Sequence, residues 1–197
     1  MSVTGPLDLS ERLRSAPVQR TAEVRPQDAE IATRPRFSWL LALGLAAIVL
    51  QSTLLRDAGV RGGSLSILTV LLVWAGLRSG PAAGGLLGLI TGVVEDALGG
   101  GGANVLGTTL VGYIAGVLSG RFFADSLPVF VSAVAVATWL RGVLGYAVLA
   151  FGMGERGMWL AWWHALAWQT LLNCTFAVVL VLALRIATNL QSRRAVA

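Results

Sequence analysis

From Phe37 to Leu55 the chain runs for 19 residues without a charged side chain. Nothing else in the sequence constrains the fold as tightly. A helix needs about 20 mostly apolar residues to cross a bilayer core of about 30 Å. Five more apolar stretches follow: Ser64–Leu77, Pro81–Leu98, Asn104–Gly120, Pro128–Gly152 and Met158–Ile186. Short polar or glycine-bearing segments separate them, including Arg78-Ser79-Gly80-Pro81, which reads as a tight turn with proline at a helix start. The prediction is an all-α polytopic membrane bundle of about six transmembrane helices. The second and third stretches are short, so four spans with a re-entrant pair is the alternative.

Composition agrees. Charged residues make up 13% of the 197, against about a quarter in soluble domains. Hydrophobic residues make up 55%, and mean hydropathy is +0.73. These values exclude an ordinary soluble enzyme and a disordered chain. The first 36 residues hold 11 of the 25 charges and carry no apolar signal core, which predicts a retained N-terminus. The expected layout is a flexible polar cytoplasmic tail over 1–36, a six-helix transmembrane domain over 37–187, and a short basic cytoplasmic tail over 188–197.

Lysine is absent, so all 15 basic residues are arginine. With the N-terminus inside, Arg20, Arg25, Arg34, Arg36, Arg78, Arg121, Arg185, Arg193 and Arg194 lie on the cytoplasmic side. Arg56, Arg61 and Arg156 lie outside, which satisfies the positive-inside rule and places both termini in the cytoplasm. The net charge of +5 is thus an orientation signal, not a nucleic-acid signal.

Glycine recurs every fourth residue at Gly80, Gly84, Gly88 and Gly92, and again at Gly112, Gly116 and Gly120. Residues four apart share a helix face. Small residues on a face let helix backbones approach closely, which drives association in lipid. The two glycine helices are predicted to pack tightly, on each other or against another membrane protein.

Polar residues inside spans are costly and must face protein or water. At 1.5 Å per residue, Asp96 lies about 22 Å above Pro81 and Arg141 about 20 Å above Pro128. His164 on the descending sixth span and Gln51 on the first fall near the same level. These groups are predicted to converge in the outer half of the bilayer as an Arg141–Asp96 ion pair with Glu95, His164 and Gln51 nearby. Such a cluster would staple helices; a solute or proton pathway is the other reading. Trp159, Trp162 and Trp163 read as an outer interfacial belt, with Trp39 as its inner counterpart.

Catalytic signatures are lacking. One cysteine and one histidine exclude cysteine-based metal clusters and paired-histidine motifs. A phosphate loop needs a lysine, and no nucleophile elbow occurs. The expectation is a non-enzyme without cofactor or metal.

The stretch Gly85–Phe123, GLLGLITGVVEDALGGGGANVLGTTLVGYIAGVLSGRFF, resembles the MreD family of rod shape-determining membrane proteins. The resemblance rests on a glycine-bearing helix ending at Asp96, the turn Gly99–Gly102, and Leu110, Gly112, Tyr113 and Gly116 in the next helix. Leu50-Gln51-Ser52-Thr53 and Arg78-Ser79-Gly80-Pro81 also look like the family. Glu95, a second acid beside Asp96, and the long N-terminal tail depart from it. The resemblance implies a non-catalytic scaffold or regulator in the bacterial inner membrane. Its implied partners are MreC, RodA, a class-B penicillin-binding protein and the MreB filament, within the lipid bilayer. It also implies a fold similar to the substrate-binding subunit of energy-coupling-factor transporters. A small-molecule-binding subunit of a vitamin transporter is therefore the alternative function. A lipid scramblase or flippase is a third.

Overall fold

A computed structural model describes residues 35–53, 59–99, 102–119, 126–152, 154 and 157–194, with side chains as far as Ile186. The N-terminal tail to residue 34, Gly120, Arg121 and Arg156 lie outside the described residues. The described chain forms six α-helices: α1 Phe37–Thr53, α2 Ile67–Ser79, α3 Pro81–Gly99, α4 Asn104–Leu118, α5 Leu127–Ala147 and α6 Trp159–Arg194. A π-helical turn, Val148–Gly152, prolongs α5. The helices follow the six predicted stretches, and α6 runs on through 188–194.

Three of these helices are long and apolar enough to cross a membrane: α3, α5 with its π-turn, and Trp159–Ile186 of α6. The other three are apolar but shorter. Together they describe a multi-pass membrane protein.

The short α2 is the axis of the bundle. It is apolar on every side, and a helix of that kind belongs in an interior. Leu68, Val70, Leu72, Val73 and Ala75 are fully buried. It packs against all five other helices. Around it the neighbours run α1–α3–α4–α5–α6, while α1 and α6 do not pack on each other. At 13 residues α2 spans only about 20 Å, less than a bilayer core. Its start therefore lies within the bundle, and an extended segment leads down to it.

That segment opens with a tight turn. Val60 and Gly63 exchange both backbone hydrogen bonds, at 2.8 and 3.0 Å, around Arg61 (φ 50°) and Gly62 (φ 84°). Gly63 lies directly on α6: a Cβ there would sit 2.6 Å from the Gln169 nitrogen and 2.7 Å from the Ala165 carbonyl oxygen. The chain then enters α2 at Ser66, whose hydroxyl accepts the Thr69 N–H at 3.4 Å. This cap starts the helix at Ile67, three residues beyond Ser64 where the apolar run begins. At the other end, Gly80 takes φ 84° to turn the chain into Pro81, the first residue of α3.

The two glycine rows face each other. A Cβ on Gly84 would meet the Gly112 carbonyl oxygen, and one on Gly112 would meet that of Gly84. Gly88 lies against the Thr108 carbonyl, and Gly92 against Val105 and the Thr108 hydroxyl. Gly116 abuts the Gly80–Pro81 peptide. Gly76 on α2 joins the same contact: a Cβ there would sit 2.8 Å from both the Ala115 Cβ and the Gly112 carbonyl oxygen. Gly80 differs from its row: it is the turn residue, with open space where its Cβ would lie.

Candidate functional site

The start of α2, the C-terminal end of α3 and the start of α4 meet near one level of the bundle, and Arg141 on α5 reaches into that point. Its side chain is 13% exposed. One terminal nitrogen donates to the Ser66 and Thr69 hydroxyls, both at 3.0 Å. The other donates to Glu95 at 2.5 Å and to the Asn104 side-chain oxygen at 2.9 Å. Glu95 also accepts from the Gln51 amide at 3.3 Å. The planar guanidinium fork suits this task, because it holds several acceptors in fixed directions.

The network continues into α6. Asn173, fully buried, accepts the Ser66 backbone N–H at 2.8 Å and donates to the Thr138 hydroxyl at 3.0 Å. Thr138 in turn donates to the Val134 carbonyl one turn back. Every helix thus contributes a polar group: Gln51 from α1, Ser66 at the α2 cap, Glu95 from α3, Asn104 from α4, Arg141 from α5 and Asn173 from α6. A largely buried charge pair is tolerated best when its remaining donors and acceptors are bonded, and these neighbours supply the bonds.

Asp96 has a different partner from the predicted one. It does not pair with Arg141; Glu95 does. Asp96 instead crosses to the start of α4, where it accepts the Asn104 and Val105 N–H groups at 2.9 Å each and the Asn104 side-chain amide at 2.9 Å. A carboxylate there satisfies amides that no helical carbonyl can reach, and it lies at the positive end of the α4 dipole. Asp96→Ala is therefore expected to lower stability by about 1–2 kcal/mol, and Asp96→Asn by less, since the amide oxygen still accepts. Thermal unfolding of the purified protein checks the order of the two variants.

His164 is also elsewhere. It is exposed on α6, where its ring nitrogen accepts the Trp168 indole N–H at 3.4 Å. Its level matches that of Arg141, since Trp162 two residues before it bonds Gly142, but its direction does not: His164 lies about 180° around the helix axis from Asn173, nine residues on. Arg61 lies 5.1 Å over the Trp168 ring on that same outer surface. Tyr113, half-exposed, covers Gly85 on the outer side of the α3–α4 pair.

Ser66, Thr69, Asn104, Thr138 and Asn173 complete the network without having been predicted as members. Asn173 was detectable, because it shares a helical stripe with Leu166, Thr170 and Ala177. Ser66 stands immediately before an apolar run, the ordinary position of a cap.

The tryptophans interlock rather than act singly. Trp163 stacks on Trp139 with centroids 5.3 Å apart, and Trp159 meets Trp163 and Tyr146 edge-on at 5.0 and 5.2 Å. The Trp162 indole N–H donates to the Gly142 carbonyl at 3.1 Å. This cluster ties the end of α5 to the start of α6.

No curated protein and no solved structure matches the chain, so the expected likeness to energy-coupling-factor subunits has no solved counterpart here. A family model described as rod shape-determining protein MreD matches residues 33–190, which take in α1 to α5, most of α6 and the whole network. The chain therefore belongs to the MreD family, the non-catalytic rod shape-determining membrane proteins.

Proposed function

We propose that this chain is a scaffold subunit of the cell-wall elongation complex, binding MreC, RodA and a class-B penicillin-binding protein through its membrane helices. The MreB filament is reached from the cytoplasmic side of a bacterial inner membrane, and the arginine excess supports both termini lying on that side. The observation that carries this reading is the polar network shared by all six helices. Arg141 bonds Glu95, Asn104 and Ser66, and Asn173 joins through the Ser66 N–H and Thr138, so most of the groups a transporter would turn toward a solute are engaged in holding six helices in one body. A rigid body of that kind suits a docking platform. Its outward ridge of Leu106, Leu110, Tyr113 and Val117 on α4 is the face proposed for a partner helix; all four are exposed.

One observation favours the transporter-subunit alternative. A cavity of about 340 Å³ between α1 and the end of α3 is lined by Gln51, Ser52, Ser64 and Glu95, and the buried Gln51 Oε1 lacks a partner there. Affinity purification of the full-length chain from native membranes separates the two. The scaffold reading expects MreC and RodA among the recovered proteins. Recovery of neither, together with a thermal shift on adding a vitamin, would overturn it.

A further inference from the structure

At the end of the bundle opposite the tryptophan cluster, α2, α5 and α6 enclose a groove of about 310 Å³. Two arginines line it: Arg78 in the last turn of α2 and Arg185 on α6. Its walls are apolar, with Trp74, Phe130, Leu180 and Leu184 among them. The start of α5 also borders it, and the Ser126 side chain does not cap that helix.

The depth of the groove follows from helix length. Arg185 lies 26 residues beyond Trp159, about 39 Å along α6. Leu127 lies 25 residues before Gly152, about 37 Å along α5. Both distances exceed a bilayer core of about 30 Å. With the tryptophans at one headgroup level, the arginines fall at the other. Arg78 is held with its guanidinium 5.4 Å over the Trp74 ring, which fixes it at the groove.

We infer that this groove is a binding site for an anionic phospholipid, with its phosphate between Arg78 and Arg185 and one acyl chain along the apolar walls. Two guanidinium groups bordering one small volume offer an anion several donors. A phosphodiester matches the guanidinium geometry, and each guanidinium carries five donors, so a phosphate adds to the contacts these arginines already make. The start of a 21-residue helix adds a positive dipole end at the same place. The apolar walls then select a lipid over a soluble phosphate, because a bare ion would leave them uncovered. A lipid held across three helices would clamp the cytoplasmic end of the bundle, as the polar network clamps the other.

The test uses the purified full-length protein. Native mass spectrometry measures phosphatidylglycerol and phosphatidylcholine retained from equimolar vesicles, and thermal unfolding is followed with each lipid and with inorganic phosphate. Phosphatidylglycerol should be retained preferentially and should raise the unfolding temperature. Arg78→Gln and Arg185→Gln should each lower its retention about five-fold, and the pair more than ten-fold, as expected for loss of one surface charge each. Leu184→Trp, which narrows the groove but keeps both charges, should lower retention as well, and it carries the test should the arginine variants not fold. Equal retention of the two lipids, or unchanged retention in the double variant or in Leu184→Trp, overturns the proposal. Stabilisation by inorganic phosphate equal to that by phosphatidylglycerol also overturns it, since the site would then be one for the bare anion.

Discussion

Arg141→Met is expected to cost about 3–5 kcal/mol of stability, and adding Glu95→Gln is expected to restore much of the loss. The single variant leaves the Glu95 carboxyl, only 15% exposed, without its cation and with the Gln51 amide as its remaining partner. Breaking one half of a buried ion pair is costly because the other half stays behind uncompensated. Glutamine removes that charge, and its amide can donate to the Asn104 oxygen that Arg141 formerly bonded. Asp96→Asn should give no such rescue, since Asp96 serves the start of α4 and not Arg141. The measurements are unfolding in detergent and steady-state abundance in the membrane, for the three single variants and both doubles. Additive losses at 141 and 95, or rescue from position 96, would remove the ion pair as the organising contact.

The reason the pairing differs from the sequence expectation is physical. Counting residues from a span's end gives height, because every residue adds about 1.5 Å. It does not give direction, which turns by about 100° at each residue. Glu95 and Asp96 are at nearly one height and point to different neighbours. His164 is at a suitable height and points away from the bundle. The glycine rows avoided this difficulty, since a four-residue period carries direction with it. The six helices were legible because charge-free length is a one-dimensional property. The buried position of α2 had one sign, a short run with no polar face, and a helix of that kind can be covered only by its neighbours. The extended entry to α2 had none, since Val60–Ser66 has neither period, and its contacts with α6 through Gly63 and Asn173 show where it lies.

Gly88→Leu is expected to be the most damaging change on the α3–α4 contact, lowering stability by at least about 3 kcal/mol and abolishing complementation of a strain lacking the protein. A Cβ at Gly88 meets the Thr108 carbonyl, and at 2.9 Å the Thr109 Cα. Both are backbone atoms, which have no rotamer to escape into. The two helices must separate along their length, and dispersion across a close glycine contact is what holds them in lipid. Separation also displaces Asn104, so the Arg141 site loses an acceptor and Asp96 loses the amides it caps. Packing and polar network should therefore fail together: Gly88→Leu should erase most of the difference between the Arg141→Met and wild-type backgrounds. Gly84→Ala and Gly112→Ala should each be costly for the same reason. Gly85→Ala is the control, one residue round the helix. Its added methyl would rest 3.4 Å from the Tyr113 Cβ, close to an ordinary contact, and should change stability by no more than about 0.5 kcal/mol. If Gly88→Leu behaves like Gly85→Ala, the rows do not form the seam described here, and the helices are held by other contacts.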